Sequence, residues 1–193
     1  MAETRSGPQI VEAYKNYAPP FDVSKTIQIL LQYVSEKYLV GLRTIVLTNQ
    51  KALSHDQRRR KLWSRGRKLS MDGVRGTYHQ ASKGAPAWIT IFVDTTIASI
   101  PPGLLRIPLM RNTIFAEVLY HEIGHHIHKT CKPEFRERED VADDWKRRLG
   151  RQFVRSRYWY LTPGAFVYRL VTKPREVFGE IRSKFRSDTQ RLA

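Results

Sequence analysis

Little in this sequence can hold or anchor the chain from outside. Cys131 is the single cysteine among 193 residues, which excludes an internal disulfide and fits a reducing compartment. Long apolar runs are missing. Stretches such as 27–31 and 164–167 are far too short to span a bilayer. The opening residues, Met1 to Pro8, lack the apolar segment of a signal peptide. Together these absences predict a cytoplasmic protein with no membrane span. Acid is scarce as well, with 18 Asp and Glu against 34 Lys and Arg and a net charge of +16. Hydrophobic residues still make up 41% and aromatics 11%, so the chain can build a core despite its charge.

The basic excess is unevenly spread. Residues 1–100 carry 15 basic and 7 acidic residues, 101–144 carry 6 and 8, and 145–193 carry 13 and 3. The middle segment is therefore slightly acidic between two basic flanks. Such flanks suit a polyanion or an acidic partner. The densest run, Arg58 to Lys68, places Arg beside Trp63, the composition that holds phosphates and stacks bases. It and the segment 146–157 are candidate nucleic-acid contacts. The alternative is a charged hairpin and a solvated helix face.

Read in order, residues 1–22 form a flexible lead-in punctuated by Pro8, Pro19 and Pro20, and residues 23–193 form a single domain. Asp22 or Ser24 can cap a helix reaching about Leu39, with Ile27, Leu30, Leu31 and Val34 on one face. Leu42 to Thr48 alternates and is β-branched, and 88–93 is the clearest strand, with 74–79 a shorter one. Pro101, Pro102 and Pro108 break the chain before a helix that starts near Asn112 or Thr113 and stops before Pro133. A second helix runs from about Pro133 to Leu149, with Gly150 as its C-terminal cap. A last helix opens at about residue 174.

The helix before Pro133 contains His121-Glu122-Ile123-Gly124-His125. At about 100° per residue, His121 and His125 lie about 40° apart, one turn up the same face. Two imidazoles so placed can share one metal ion, and zinc accepts nitrogen donors while keeping one position open for water. Glu122 stands beside the first His, where its carboxylate can take a proton from such a water during attack on a carbonyl. Gly124 weakens a helix interior, which points to a close approach there.

Two His leave a zinc site incomplete. The nearest acids are Glu137, Glu139, Asp140, Asp143 and Asp144 on the next helix. Glu139 and Asp143 are one turn apart, so Glu139 can ligate while Asp143 accepts from a ligand imidazole, with Glu137 and Asp143 as alternative ligands. His128 sits near the helix end, and His126 points away from the ligand face and is expected to be exposed.

The pattern His121-Glu122-x-x-His125 followed by Glu139-x-x-Ala142-Asp143-x-Trp145 resembles the gluzincin metallopeptidases. It is most similar to the small minigluzincin and IrrE/ImmA-like group. That resemblance implies a zinc-dependent peptidase, with Glu122 as general base and His121, His125 and Glu139 as zinc ligands. It also implies an α+β zincin-like domain whose mixed or antiparallel sheet packs on the active-site helix and the glutamate helix. Its edge strand would lie along the cleft and pair with an extended peptide or protein substrate. Residues 88–93 match that edge strand by position. Larger gluzincins add a His or Tyr for the oxyanion; the resemblance places none here, and Tyr158, Tyr160 and His79 are the residues of that kind considered.

Overall fold

The computed structural model describes residues 7–159 apart from 60, 65–66, 72, 83 and 133–137, and leaves the side chains of 59–69 undescribed. The chain divides into two compact units, Met1–Gln152 and Phe153–Ala193. The helix expected from about residue 174 lies outside the described residues.

The first unit is α+β. Its elements are β1 (Gln9–Ala13), α1 (Val23–Leu31), β2 (Leu42–Thr48), α2 (His55–Arg59), β3 (Lys61–Ser64), β4 (Arg67–Ser70), β5 (Gly76–His79), β6 (Ala87–Phe92), α3 (Val93–Ala98), α4 (Pro108–Thr130) and the start of α5 (Arg138–Arg157). A four-stranded sheet has the order β1-β2-β6-β5, and β3 and β4 pair separately. β1, β2 and β6 run parallel, while β5 is antiparallel to β6. The sheet is therefore mixed.

Two expectations about strands are corrected. Residues 9–13 are not a loose lead-in but an edge strand in parallel register with residues 44–48. The short Ile10-Val11 run satisfies its backbone on β2 in spite of the nearby prolines. Strand 88–93 is not an edge. β6 has hydrogen-bonded neighbours on both sides, β2 and β5, so it has no free backbone for an extended peptide. The edge on that side is β5.

Alternation sets the core. Ile45 and Leu47 of β2 and Ile89 and Ile91 of β6 are fully buried, as are Phe115, Leu119, Ile123 and Ile127 of α4 and Ile27 and Leu30 of α1. The i, i+4, i+8, i+12 spacing on α4 is the stripe a helix needs to lie across a sheet. The Tyr120 hydroxyl donates to the Leu30 carbonyl at 3.0 Å and ties α4 to α1.

Helix ends depart from expectation for local reasons. The Asp22 side chain caps α1 by accepting from the Lys25 N–H, but the helix stops at Leu31 and a separate 3-10 turn covers Glu36–Tyr38. Pro108 opens α4 instead of breaking the chain before it, because its missing N–H is one that a first turn leaves unpaired anyway. Gly150 does not cap α5, which continues to Arg157. No described helix is long and apolar enough to cross a membrane. In the second unit the described residues end α5, and the Phe153 and Tyr158 rings meet edge to face at 5.6 Å.

Candidate metal centre

α4 and α5 meet at a small-residue contact. A Cβ on Gly124 would lie 2.8 Å from both the Cα and the carbonyl oxygen of Ala142 and 3.1 Å from the Trp145 Cβ. The missing side chain lets the two backbones approach, as a glycine inside an otherwise apolar helix suggests. One turn from this contact, three side chains converge. Donor atoms of His121, His125 and Glu139 all lie within 4.8 Å of one another. Glu139 Oε2 is 3.4 Å from His121 Nε2 and 3.8 Å from His125 Nε2.

These separations can be tested against a metal. Tetrahedral donors about 2.0–2.1 Å from a zinc ion stand about 3.3 Å apart. The observed distances approach that spacing, and the donors are two neutral-capable imidazoles and one carboxylate. The set fits a first-row divalent ion with a position left open. Asp143 lies on the other side of the His121 ring, with Oδ1 3.1 Å from Nδ1. That contact holds His121 as the tautomer whose Nε2 faces the shared point. Lys146 Nζ donates to the same Asp143 oxygen at 2.8 Å. Asp143 is thus engaged away from the cluster, and Glu137 lies outside the described residues. His125 Nδ1 is buried and has no hydrogen-bond partner among the described residues.

Glu122 is buried, with 6% of its surface exposed. It lines a cavity of about 510 Å³ together with His121, Asp143, Val118, Arg75 and Gly76. Burial pushes its carboxyl up to about 7, with the His121 charge and the Tyr78 backbone N–H opposing and Glu139 reinforcing. For His121 burial acts downward, but the Glu139 hydrogen bond and the charges of Glu122, Glu139 and Asp143 outweigh it and raise the imidazole. His125 is pulled down to about 4, first by burial and then by the neighbouring His121 charge. One ligand therefore favours its proton and the other resists it. This is the mark of a cluster of unlike groups brought together against their solvation.

Other histidines sort differently from expectation. His126 is fully buried, not exposed. Its Nε2 donates to the Val40 carbonyl at 3.0 Å, so its Nδ1 accepts from the Tyr78 hydroxyl at 3.2 Å. A helix lying against a sheet has three inward directions, and His126 occupies the one facing β5. His128 is buried and outside the ligand cluster. His79 stacks on Trp88 at 4.5 Å and contacts Thr77 Oγ1; it is not among the residues lining the cavity. Tyr160 lies outside the described residues, and Tyr158 belongs to the second unit.

Several cavity residues escaped the reading of the sequence: Ser70, Gly73, Val74, Arg75, Gly76, Glu117 and Lys146. Gly76 carried a signal, since a glycine inside a strand pattern marks a close backbone approach. The basic run 58–68 overlaps the paired strands β3 and β4, and β4 ends at Ser70, which lines the cavity with Gly73, Val74, Arg75 and Gly76. On α5, Lys146 and Arg147 pair with Asp143 and Asp144, and the Arg148 guanidinium lies over the Trp145 ring. No family model, curated protein or solved structure matches the chain.

Proposed function

We propose that this chain is a zinc-dependent peptidase of the gluzincin type. The observation that carries the reading is the convergence of His121, His125 and Glu139 beside a buried glutamate that opens on a cavity. His121, His125 and Glu139 would hold the zinc ion, which would supply Lewis acidity to a water and to a carbonyl oxygen. The chain does the rest. Glu122 receives the proton from the attacking water and returns it to the departing amine. A carboxyl raised by burial is suited to holding that proton near neutral pH. Asp143 orients His121, and Lys146 offsets the charge that Asp143 brings.

The test is cleavage of an unfolded casein and of a quenched peptide library by zinc-loaded protein, compared with Glu122→Gln. Loss of cleavage with zinc retained is the expected result. Equal cleavage by the variant would remove Glu122 from the reaction.

A second reading is favoured by one observation, the basic strand pair β3 and β4 that ends at the cavity-lining Ser70. In it the protein is chiefly a nucleic-acid-associated or regulatory module, with the metal site latent or structural. Binding to mixed-sequence DNA or RNA that weakens steeply with salt is its expected signature. No binding at low salt rejects it.

A further inference from the structure

Three residues of α4 one turn apart, Val118, Glu122 and His126, lie along β5. A Cβ on Gly76 would come within 2.7 Å of Val118 Cγ1, 2.9 Å of Glu122 Oε1 and 3.0 Å of Glu122 Cγ. Two residues on, the Tyr78 hydroxyl reaches His126. Two strand residues advance about 6.6 Å and one helical turn about 5.4 Å, so the strand keeps step with the stripe. The backbone polarity agrees. The Arg75 carbonyl accepts from the Phe92 N–H at 2.8 Å, and Thr77 pairs with Thr90. In antiparallel pairing the bonded residues alternate, so the backbone groups of Gly76 and Tyr78 face away from β6. The Tyr78 backbone N–H thus faces the side on which Glu122 lies, and it lowers that carboxyl against the effect of burial.

From this we infer that strand β5 seats the carboxylate of Glu122: Gly76 leaves the slot in which it lies, and the Tyr78–His126–Val40 chain fixes the strand above it. The three atoms nearest to an added Gly76 methyl belong to Val118 and Glu122 and not to His121, His125 or Glu139. Gly76 and Tyr78 are positioning residues, acting on the reaction only through Glu122. The slot has no spare room, because the atoms met by an added methyl include the base itself and a branched carbon of Val118 on the same helix. His126 is the anchor because its two ring nitrogens are both spoken for, one by a loop carbonyl and one by the strand.

The inference rests on the peptidase reading for its consequence but not for its geometry, and two measurements separate the two. The first needs no activity. Amide chemical shifts are recorded for the wild type and for Glu122→Gln. Beyond α4, the amides of residues 76–78 are expected to move most, and an unmoved β5 overturns the inference. The second compares zinc-loaded Gly76→Ala and Tyr78→Phe with wild type on the peptide library. Both variants are expected to keep zinc and KM, with kcat lowered on the order of 10- to 100-fold for Gly76→Ala and less for Tyr78→Phe, because a base displaced by a fraction of an ångström loses much of its effect. Wild-type kcat in both variants overturns the inference. Should Gly76→Ala fail to fold, Tyr78→Phe carries the kinetic comparison alone. Absence of cleavage by the wild type removes the peptidase reading and leaves the amide shifts to decide.

Discussion

Two faces of α4 meet their neighbours in different ways. On the α5 face, His121 and His125 present side-chain donors to Glu139, and Gly124 lets the backbones close to within a methyl group of contact. On the β5 face, Glu122 and His126 meet a strand, and Gly76 gives the clearance. Each face has a glycine at its tightest point. The first face gathers like-purposed donors around one point in space. The second packs a single, largely buried carboxylate against a strand at the wall of the cavity. On the proposed reading, binding a cation and poising a base have different supports, and a substitution can strike one without the other.

The largest expected effects fall on the α5 face. His125→Ala and Glu139→Ala each remove one of three donors, so stoichiometric zinc and cleavage should vanish together, as read by elemental analysis and peptide hydrolysis. Glu122→Gln should break the comparison the other way. Zinc stays, while kcat falls by roughly 10²–10⁴, the usual contribution of a positioned base. Asp143→Asn is next. It keeps the shape but no longer favours the His121 tautomer that turns Nε2 to the ion, and metal affinity should fall about 10- to 100-fold by competition with a chelating dye.

A pair of glycines on the helices sharpens the point at smaller scale. Gly124→Ala adds a methyl 2.8 Å from two Ala142 backbone atoms, which cannot rotate aside. Overpacking of this kind costs about 1–3 kcal/mol, more than the roughly 1 kcal/mol of helix propensity it gains. Urea unfolding should show a loss, and zinc affinity should fall as α5 moves away. Gly150 lies inside α5, and among the described residues no atom is within 4 Å of an added Cβ. There Gly150→Ala meets no obstacle and should stabilise by about 0.5–1 kcal/mol. The same substitution is expected to have opposite signs at the two sites.

How far these features could be read in advance follows from the same physics. His121, Glu122 and His125 were legible because helical periodicity converts spacing into direction. Glu139 and Asp143 were legible as a pair one turn apart, and the structure brings Glu139 to the two His and Asp143 to His121 Nδ1. The strands at 42–48 and 88–93 were legible from β-branched alternation. Sheet order was not, because pairing is decided by partners far apart in sequence, and so β6 was mistaken for an edge. His126 was misjudged for a related reason. A period of 3.6 shows which residues share a face, but not that a third face would be covered by a strand carrying Tyr78. Gly73, Val74 and Arg75, which line the cavity, left almost no pattern, since a loop's direction depends on what it packs against.

The smallest effect expected concerns β5 itself, through His79. Burial lowers its imidazole below the ordinary 6.5, and its ring stacks nearly parallel on Trp88 with an interplanar angle of 11°. The sign follows from proton counting. As pH falls through 6.5 the unfolded chain takes up a proton at this site while the folded chain still resists one. The unfolded state then binds more protons, so stability declines as pH drops. The lowered His125 and His126 act in the same direction, while the raised His121 and Glu122 oppose them, so the wild-type slope is the sum of all five. His79→Phe keeps an aromatic ring over Trp88 and removes one titrating group. Between wild type and that variant, the difference in Tm should move in favour of the variant as pH falls through 6.5. An unchanged slope would show that His79 meets water freely in the folded chain, and that β5 is held at its His126 contact rather than along its whole length.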